Sequence, residues 1–154
     1  MKLSMRFFVV VFCSGLSAVC FAQCTLNDVH KLQQQYEKTY NSDHPEAIVD
    51  FYNQDALLTP LFSDNPLVNA RERKNYFNNL FHNKDHEVFK LQFDDKKIHS
   101  KQLDCGVVTN GIYMLTRIKK NKTTQTPLRF TMVYQDSPQG CQLISHHGST
   151  AQKK

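Results

Sequence analysis

The chain has 154 residues, enough for one domain with a hydrophobic core of its own. Its 19 basic and 14 acidic residues give a net charge of +5, a mild excess that lacks the basic footprint of a nucleic-acid-binding protein. The densest basic run, Lys119-Lys120-Asn121-Lys122, is typical of a solvated hairpin turn, so no nucleic-acid partner is expected.

Residues 1–22 have the three parts of a secretory signal peptide. Lys2 and Arg6 form a basic start, Phe7–Phe21 is an apolar run, and Cys20-Phe21-Ala22 is a small-x-small cleavage pattern. The run is short for a membrane span. We therefore expect cleavage after Ala22 and a secreted or periplasmic product without a stable membrane anchor; a retained anchor is the alternative. Without the two basic residues the net charge falls to +3.

Apolar residues recur at helical spacing in the first half of the remaining chain. The pattern predicts one helix over Thr25–Asn41, a short helix starting near Pro45, and another helix over Arg71–His82. Short strands are expected at Ala56–Leu61 and Leu67–Asn69. The later helix should bury Tyr76, Phe77, Leu80 and Phe81 and expose Arg71, Arg73 and Lys74.

The period changes to two in the second half. Four extended stretches, Val88–His99, Val107–Ile118, Leu128–Gln135 and Gln142–Ser149, are separated by turn-like segments. Neighbouring strands with short connections favour an antiparallel meander. Helices followed by a long sheet predict an α+β fold, with the helices on one face of a curved antiparallel sheet. With no linker or internal repeat, residues 23–154 should form a single domain with its core at about 25–149.

Local motifs in a fixed order carry a family resemblance. They are Phe51–Leu58, Asn75-Tyr76-Phe77, Gly111-Ile112-Tyr113, Arg129–Tyr134 and Leu143–Ser149. The set resembles the nuclear-transport-factor-2-like superfamily, and within it the association domain of calcium/calmodulin-dependent protein kinase II and its SnoaL-like bacterial relatives. The resemblance implies a cone-shaped sheet with helices on its concave face, and a domain that binds a small molecule or associates with itself. Cys141 stands where the family usually has Trp, and Gly148 where relatives carry Ser or Arg.

Polar side chains on the last two strands are the candidate ligand-binding residues. Counting outward from the turn Asp136–Gly140 places Arg129 opposite His147 and sends His146 to the other face. A one-residue bulge would exchange the two histidines. The residues predicted to line the cone's cavity and bind a small polar or anionic ligand are Tyr113, Arg129, Thr131, Ser145 and His147.

The possible functions differ in what they require of this pocket. An isomerase of the SnoaL or ketosteroid isomerase kind needs a carboxylate or histidine base in an apolar pocket, and His147 would be that base because Val107–Val133 contains no acid. A homodimer or larger homo-oligomer needs an exposed apolar face, which the series Leu128, Phe130, Met132 and Tyr134 could supply. No kinase signature is present, and neither a cofactor nor a metal site is expected. We favour binding or assembly over catalysis.

Three cysteines follow the signal peptide. Cys24, Cys105 and Cys141 imply one disulfide plus a free thiol, or a bridge between chains. Cys105 and Cys141 open strands that are two apart in the meander, about 9.6 Å, whereas a disulfide needs Cα atoms within about 7 Å. Cys24 precedes the first helix and can reach either. Because Cys141 replaces a family Trp and would be a small buried residue, the expected disulfide is Cys24–Cys105.

Overall fold

A computed structural model describes residues 24–42, 44–120 and 122–151. The predicted signal peptide lies outside these residues. The elements in chain order are α1 (Leu26–Tyr40), a 3₁₀ helix (Pro45–Phe51), β1 (Tyr52–Thr59), α2 (Ala70–Phe81), β2 (Val88–Phe93), a 3₁₀ turn (Asp95–Lys97), β3 (His99–Leu103), β4 (Gly106–Lys119), β5 (Lys122–Ser137) and β6 (Gly140–Thr150). None of the helices in this part of the chain is long and apolar enough to span a bilayer.

The six strands form one curled sheet in the order β1-β6-β5-β4-β2, with β3 also paired to β4. The predicted α+β class is confirmed, with two refinements. The stretch expected as one strand over 88–99 divides into β2 and β3, because both pair with the long β4 and a 3₁₀ turn separates them. β1 pairs in parallel with β6 and covers its edge, so the sheet is mixed.

The first helix is fixed at both ends by side chains. At its start, Thr25 and Asp28 form a capping box that satisfies free backbone N–H groups. At its end, the Asn41 amide donates to the carbonyl of Leu91 at 2.6 Å and accepts from the N–H of Leu91 at 2.9 Å, as a paired strand would. These bonds hold α1 across the concave face of the sheet.

The core lies between this concave face and the helices. Even-numbered residues of β5 (Leu128, Phe130, Met132, Tyr134) are buried there with Phe93 and Tyr113. The rings of Phe93, Tyr113 and Phe130 lie 5.1–5.9 Å apart, in edge-to-face and stacked contacts. The series Leu128, Phe130, Met132 and Tyr134 is therefore core, which corrects the expectation that it forms an exposed face for self-association.

The disulfide joins Cys24 to Cys141, with their Cα atoms 4.9 Å apart. The expected Cys24–Cys105 pairing is therefore wrong for this structure, and Cys105 is an exposed free thiol. The N–H of Cys24 donates to the carboxylate of Asp136, and Asp136 lies directly opposite Cys141 in the β5–β6 pairing. Cys24, two residues before α1, thus lies beside the ends of β5 and β6 that the turn joins, next to Cys141.

Candidate functional site

A narrow cavity of about 40 Å³ opens between the concave face, α2 and the loop that follows β1. Its walls are mostly apolar and aromatic, with Leu58, Phe62 and Phe77 among them. Polar atoms come from a few tyrosines, including Tyr113, and from His146. A volume of this size holds a few water molecules or a ligand of a few non-hydrogen atoms.

The imidazole of His146 is the centre of a buried hydrogen-bond chain. The hydroxyl of Tyr52 lies 2.7 Å from its Nδ1 and 3.0 Å from the hydroxyl of Tyr36. Burial lowers the pKa of His146 to about 3, with a smaller contribution from the adjacent His147. Burial also raises the pKa of Tyr36 and Tyr52 well above the usual value. The three side chains of this hydrogen-bond chain are therefore uncharged at neutral pH, and they can form hydrogen bonds with an uncharged ligand.

Arg73 holds the strand that carries Tyr52. Its guanidinium donates to the carbonyl oxygens of Ala56, of Asn53 at 2.6 Å and of Gln54 at 2.7 Å. It also lies 5.7 Å from the centre of the Tyr52 ring, a cation–π distance. Although Arg73 was expected to be exposed, it is among the most deeply buried side chains. Because its hydrogen bonds go to the backbone of β1, Arg73 positions Tyr52, and it is not among the residues that line the cavity.

The exposure of Arg73 was mispredicted although the sequence carried a signal. Arg73 lies four and seven residues before Phe77 and Leu80, so helical spacing places it on the inward face of α2. Arginine side chains are rarely buried, so the charge of Arg73 indicated an exposed position instead. The backbone carbonyls of β1 make burial possible because they satisfy the guanidinium N–H groups.

Four of the predicted site residues, Arg129, Thr131, Ser145 and His147, share a face, as expected, but that face is the convex one. The expected pairing of Arg129 with His147 is wrong, because Thr131 pairs with His147, Arg129 with Ser149, and Val133 with Ser145. Arg129, Thr131 and His147 are exposed, whereas His146 pairs with buried Met132 and lines the cavity. The placement of Arg129, Thr131, Ser145 and His147 in the cavity is therefore corrected, while Tyr113 does line it.

The register explains which residues share a face. The β5–β6 turn is tighter than counted, since Ser137 pairs with Gly140, and an irregularity follows between Val133 and Tyr134. These two shifts of one residue restore the predicted parity beyond the irregularity, so odd-numbered residues of β5 up to Val133 share a face with odd-numbered residues of β6 from Ser145 onward. The helices cover the other face, which carries the larger side chains of β5.

The convex face carries a polar row with apolar residues beside it. Thr59, His147, Thr131, Asn110 and His99 lie opposite one another across β1, β6, β5, β4 and β3. Partly buried apolar side chains flank the row, namely Val108, Ile112, Val133 and Ile144, with Leu57 half exposed at its edge. Arg129 donates to the carbonyl of Thr150 at 3.0 Å on this face.

A cluster of charged residues joins the ends of β2 and β4. Glu87 accepts from Arg117 at 2.6 and 2.7 Å and contacts Lys119 at 2.7 Å. Hydrogen bonds from Arg117, and then from Lys119, lower the pKa of Glu87 to about 2. Among the described residues no group of three His, Cys, Asp or Glu side chains is arranged to hold a metal ion. Lys119 also contacts Asp85 at 3.0 Å, so two cations and two carboxylates neutralise one another at this sheet edge.

Comparison by sequence finds one family. Residues 25–152 match the profile of the calcium/calmodulin dependent protein kinase II association domain. No protein of curated function matches the chain significantly.

Comparison by structure finds several proteins of the same fold. A Xanthomonas campestris protein described as an association domain of this kind is 22% identical with a TM-score of 0.73, and the match covers 87% of this chain and 96% of that one. A nuclear-transport-factor-2-like protein with a cystatin-like fold from Novosphingobium aromaticivorans is 9% identical with a TM-score of 0.66, over 83% and 82% of the two chains. The β subunit of benzoate 1,2-dioxygenase from Burkholderia mallei is 9% identical with a TM-score of 0.68, over 84% and 93%.

Proposed function

Because the chain belongs to the calcium/calmodulin dependent protein kinase II association-domain family, we propose that it is an exported self-association module without kinase activity of its own. The convex sheet face is the observation that carries this proposal. Partly buried Val108, Ile112, Val133 and Ile144 form an apolar surface there, and no described segment of the chain covers it. Two copies packed through this face would remove that surface from water.

Export is the second part of the proposal. Residues 1–22 have the pattern of a cleaved signal peptide. The Cys24–Cys141 disulfide fits an oxidising compartment, since disulfides persist outside the cytosol. The mature chain would then begin at Gln23, one residue before the disulfide. Intact-mass measurement of the exported protein tests this, and a species that retains residues 1–22 or carries a lipid on Cys24 contradicts it.

The cavity supports a second role, the binding of a very small uncharged molecule. Its lining contains no charged side chain, because His146 is neutral and Arg73 is committed to backbone carbonyls. An anionic ligand fits the exposed Arg129 and His147 of the convex face better than it fits the cavity. Self-association there would compete with such a ligand.

The isomerase alternative is less well supported by the geometry. A general base works best when its pKa lies near the operating pH. His146 is the histidine at the cavity, and its pKa of about 3 makes it a weak base at neutral pH. His147, the candidate base in the sequence, lies exposed on the opposite face. We therefore do not assign proton-transfer chemistry to this cavity.

Sedimentation at micromolar concentration tests self-association, with a matched pair of valine substitutions. Val133→Glu places a charge in the convex face, whereas Val68→Glu places the same charge at an exposed position before α2. We expect wild type and Val68→Glu to sediment with at least twice the mass of the mature chain and Val133→Glu to sediment as a monomer. A monomeric wild-type protein would contradict the proposal, and so would a Val133→Glu variant that still associates.

A further inference from the structure

All three cysteines of the described chain are hydrogen-bonded to, or paired with, one aspartate. Asp136 donates its N–H to the carbonyl oxygen of Cys105 at 3.4 Å and accepts from the N–H of Cys24 with its carboxylate. It also lies opposite Cys141 in the β5–β6 pairing. We call the set Cys24, Cys105, Asp136 and Cys141 the cysteine corner.

Gln102 adds a second link between Cys24 and the turn that carries Cys105. Its amide nitrogen lies 2.8 Å from the carbonyl oxygen of Cys24 and 2.9 Å from that of Gly106, the residue after Cys105. Cys24 is therefore held between the start of β6 on one side and the β3–β4 turn on the other. It is buried, while Cys105 is an exposed free thiol.

From this arrangement we propose that the cysteine corner is a thiol–disulfide exchange centre, in which Cys24 changes partner between Cys141 and Cys105. The thiolate of Cys105 attacks Sγ of Cys24 and forms the Cys24–Cys105 bond. The Cys24–Cys141 bond breaks, and its electron pair leaves on Sγ of Cys141, which takes up a proton from water. One disulfide and one thiol are present before and after, so no external oxidant or reductant is consumed.

Two features of the structure favour the exchange. The attacking thiol is exposed, and it lies on the turn that Gln102 and Asp136 link to Cys24. Chain entropy hardly separates the two pairings, because the cost of closing a loop depends only weakly on its length. Local contacts therefore set the balance, and Asp136 and Gln102 bind the backbone of Cys24 to the end of β5 and to the β3–β4 turn.

The exchange would change the surface beside α1. In the Cys24–Cys141 form, Cys141 lines a groove with Asp28, Lys31, Leu32 and Gln139. In the other form the start of α1 would be tied to the β3–β4 turn, and Cys141 would present a free thiol in that groove. This switch goes beyond self-association and does not depend on it, since every residue involved belongs to one chain.

Non-reducing peptide mapping of the mature wild-type protein tests the proposal. Samples incubated at pH 8.5 in native buffer are trapped with N-ethylmaleimide, digested and mapped. We expect the label to move with time from Cys105 to Cys141 and a Cys24–Cys105 peptide to appear, at a rate independent of protein concentration. Label that stays on Cys105 alone would overturn the proposal, and a disulfide between two chains through Cys105 would do so as well.

Two variants separate exchange from scrambling of unfolded chains. Cys141→Ser should form a Cys24–Cys105 disulfide within one chain under air while keeping the wild-type circular dichroism spectrum. Cys105→Ser should hold Cys24–Cys141 at all times, with no label on either cysteine. A natively folded Cys141→Ser chain that keeps both thiols free under air would show that Cys105 cannot reach Cys24, and the proposal would fail.

Discussion

A Cβ atom at position 148 would lie 2.9 Å from the hydroxyl oxygen of Tyr113. Gly148 and Tyr113 therefore fit each other, and the phenol occupies the space that a larger residue at 148 would need. The resemblance to the family puts Ser or Arg at this position in relatives. In this chain the phenol of Tyr113, on β4, takes the place of a side chain on β6, and the cavity has no charged group.

Gly148→Ala should destabilise the protein in a way that depends on Tyr113. We expect a loss of about 1–3 kcal/mol from overpacking, because the tyrosine ring is packed against Phe93 and Phe130 and cannot easily withdraw. Gly148 has an ordinary backbone conformation, so crowding is the main cost. In a Tyr113→Phe background the same substitution should cost much less. Urea unfolding of the four proteins of this cycle measures the coupling, and additive losses would rule out the predicted contact.

Acid should destabilise the protein through His146 before any carboxylate contributes. The pKa of His146 is about 3 in the folded protein against an ordinary 6.5, so below pH 6.5 the unfolded chain binds a proton that the folded chain does not. The free energy of unfolding should then fall by about 2 kcal/mol between pH 7.5 and 5 and continue falling toward pH 3. Urea unfolding at several pH values measures this slope.

Two histidine variants identify the source of that slope. His147→Gln should keep most of it, since that side chain is exposed, and His146→Phe should lose it. Staying above pH 5 keeps Glu87 out of the measurement, because its pKa is lowered to about 2 and its contribution is lost only below its ordinary 4.5. An unchanged slope in His146→Phe would show that another group is responsible.

Cys24→Ser should weaken the fold more than Cys105→Ser. The Cys24–Cys141 disulfide closes a loop of 117 residues, which stabilises by about 5 kcal/mol in the chain-entropy model. Cys24→Ser removes this bond together with any exchanged one, while Cys105→Ser leaves it intact. Thermal unfolding under non-reducing conditions compares the two, and equal melting temperatures would be inconsistent with the predicted role of the bond.

Arg73→Met should be among the most damaging single substitutions on α2. It leaves the carbonyl oxygens of Asn53, Gln54 and Ala56 without their buried donor, and each unsatisfied buried group costs about 1–3 kcal/mol. Arg71→Met, two residues earlier and exposed, should cost less than about 0.5 kcal/mol. Denaturant unfolding of both variants measures the difference. Similar stabilities would mean that water replaces the guanidinium at β1.

The order of the elements and the parity of the strands could be read from the sequence. Helical spacing in the first half and alternation in the second predicted α1, α2, β4 and β6 within about two residues of their observed bounds, whereas β5 begins earlier than predicted and the stretch 88–99 divides into β2 and β3. Alternation also grouped Arg129, Thr131 and His147 on one face of the sheet, as the structure shows. Such patterns are local, because side-chain direction repeats every two residues in any strand.

Only the tertiary structure decided which face of the sheet the helices cover. Both faces of β4 and β5 carry apolar residues, Ile112 and Val133 on one side and Phe130 and Met132 on the other. Alternation shows which residues share a face, but it does not show which of two apolar faces the helices cover. Because the helices cover the face that carries His146, it is His146 rather than His147 that lies in the cavity.

The disulfide and Arg73 were decided in the same way. Cys24 bonds Cys141 because its N–H donates to Asp136 opposite Cys141, a position set by contacts more than 100 residues apart in sequence. Arg73 is buried because the backbone carbonyls of β1 accept hydrogen bonds from its guanidinium. Local periodicity follows from backbone geometry, but partners distant in sequence meet only when the chain packs, so the cavity, the disulfide and the buried arginine belong to the tertiary structure.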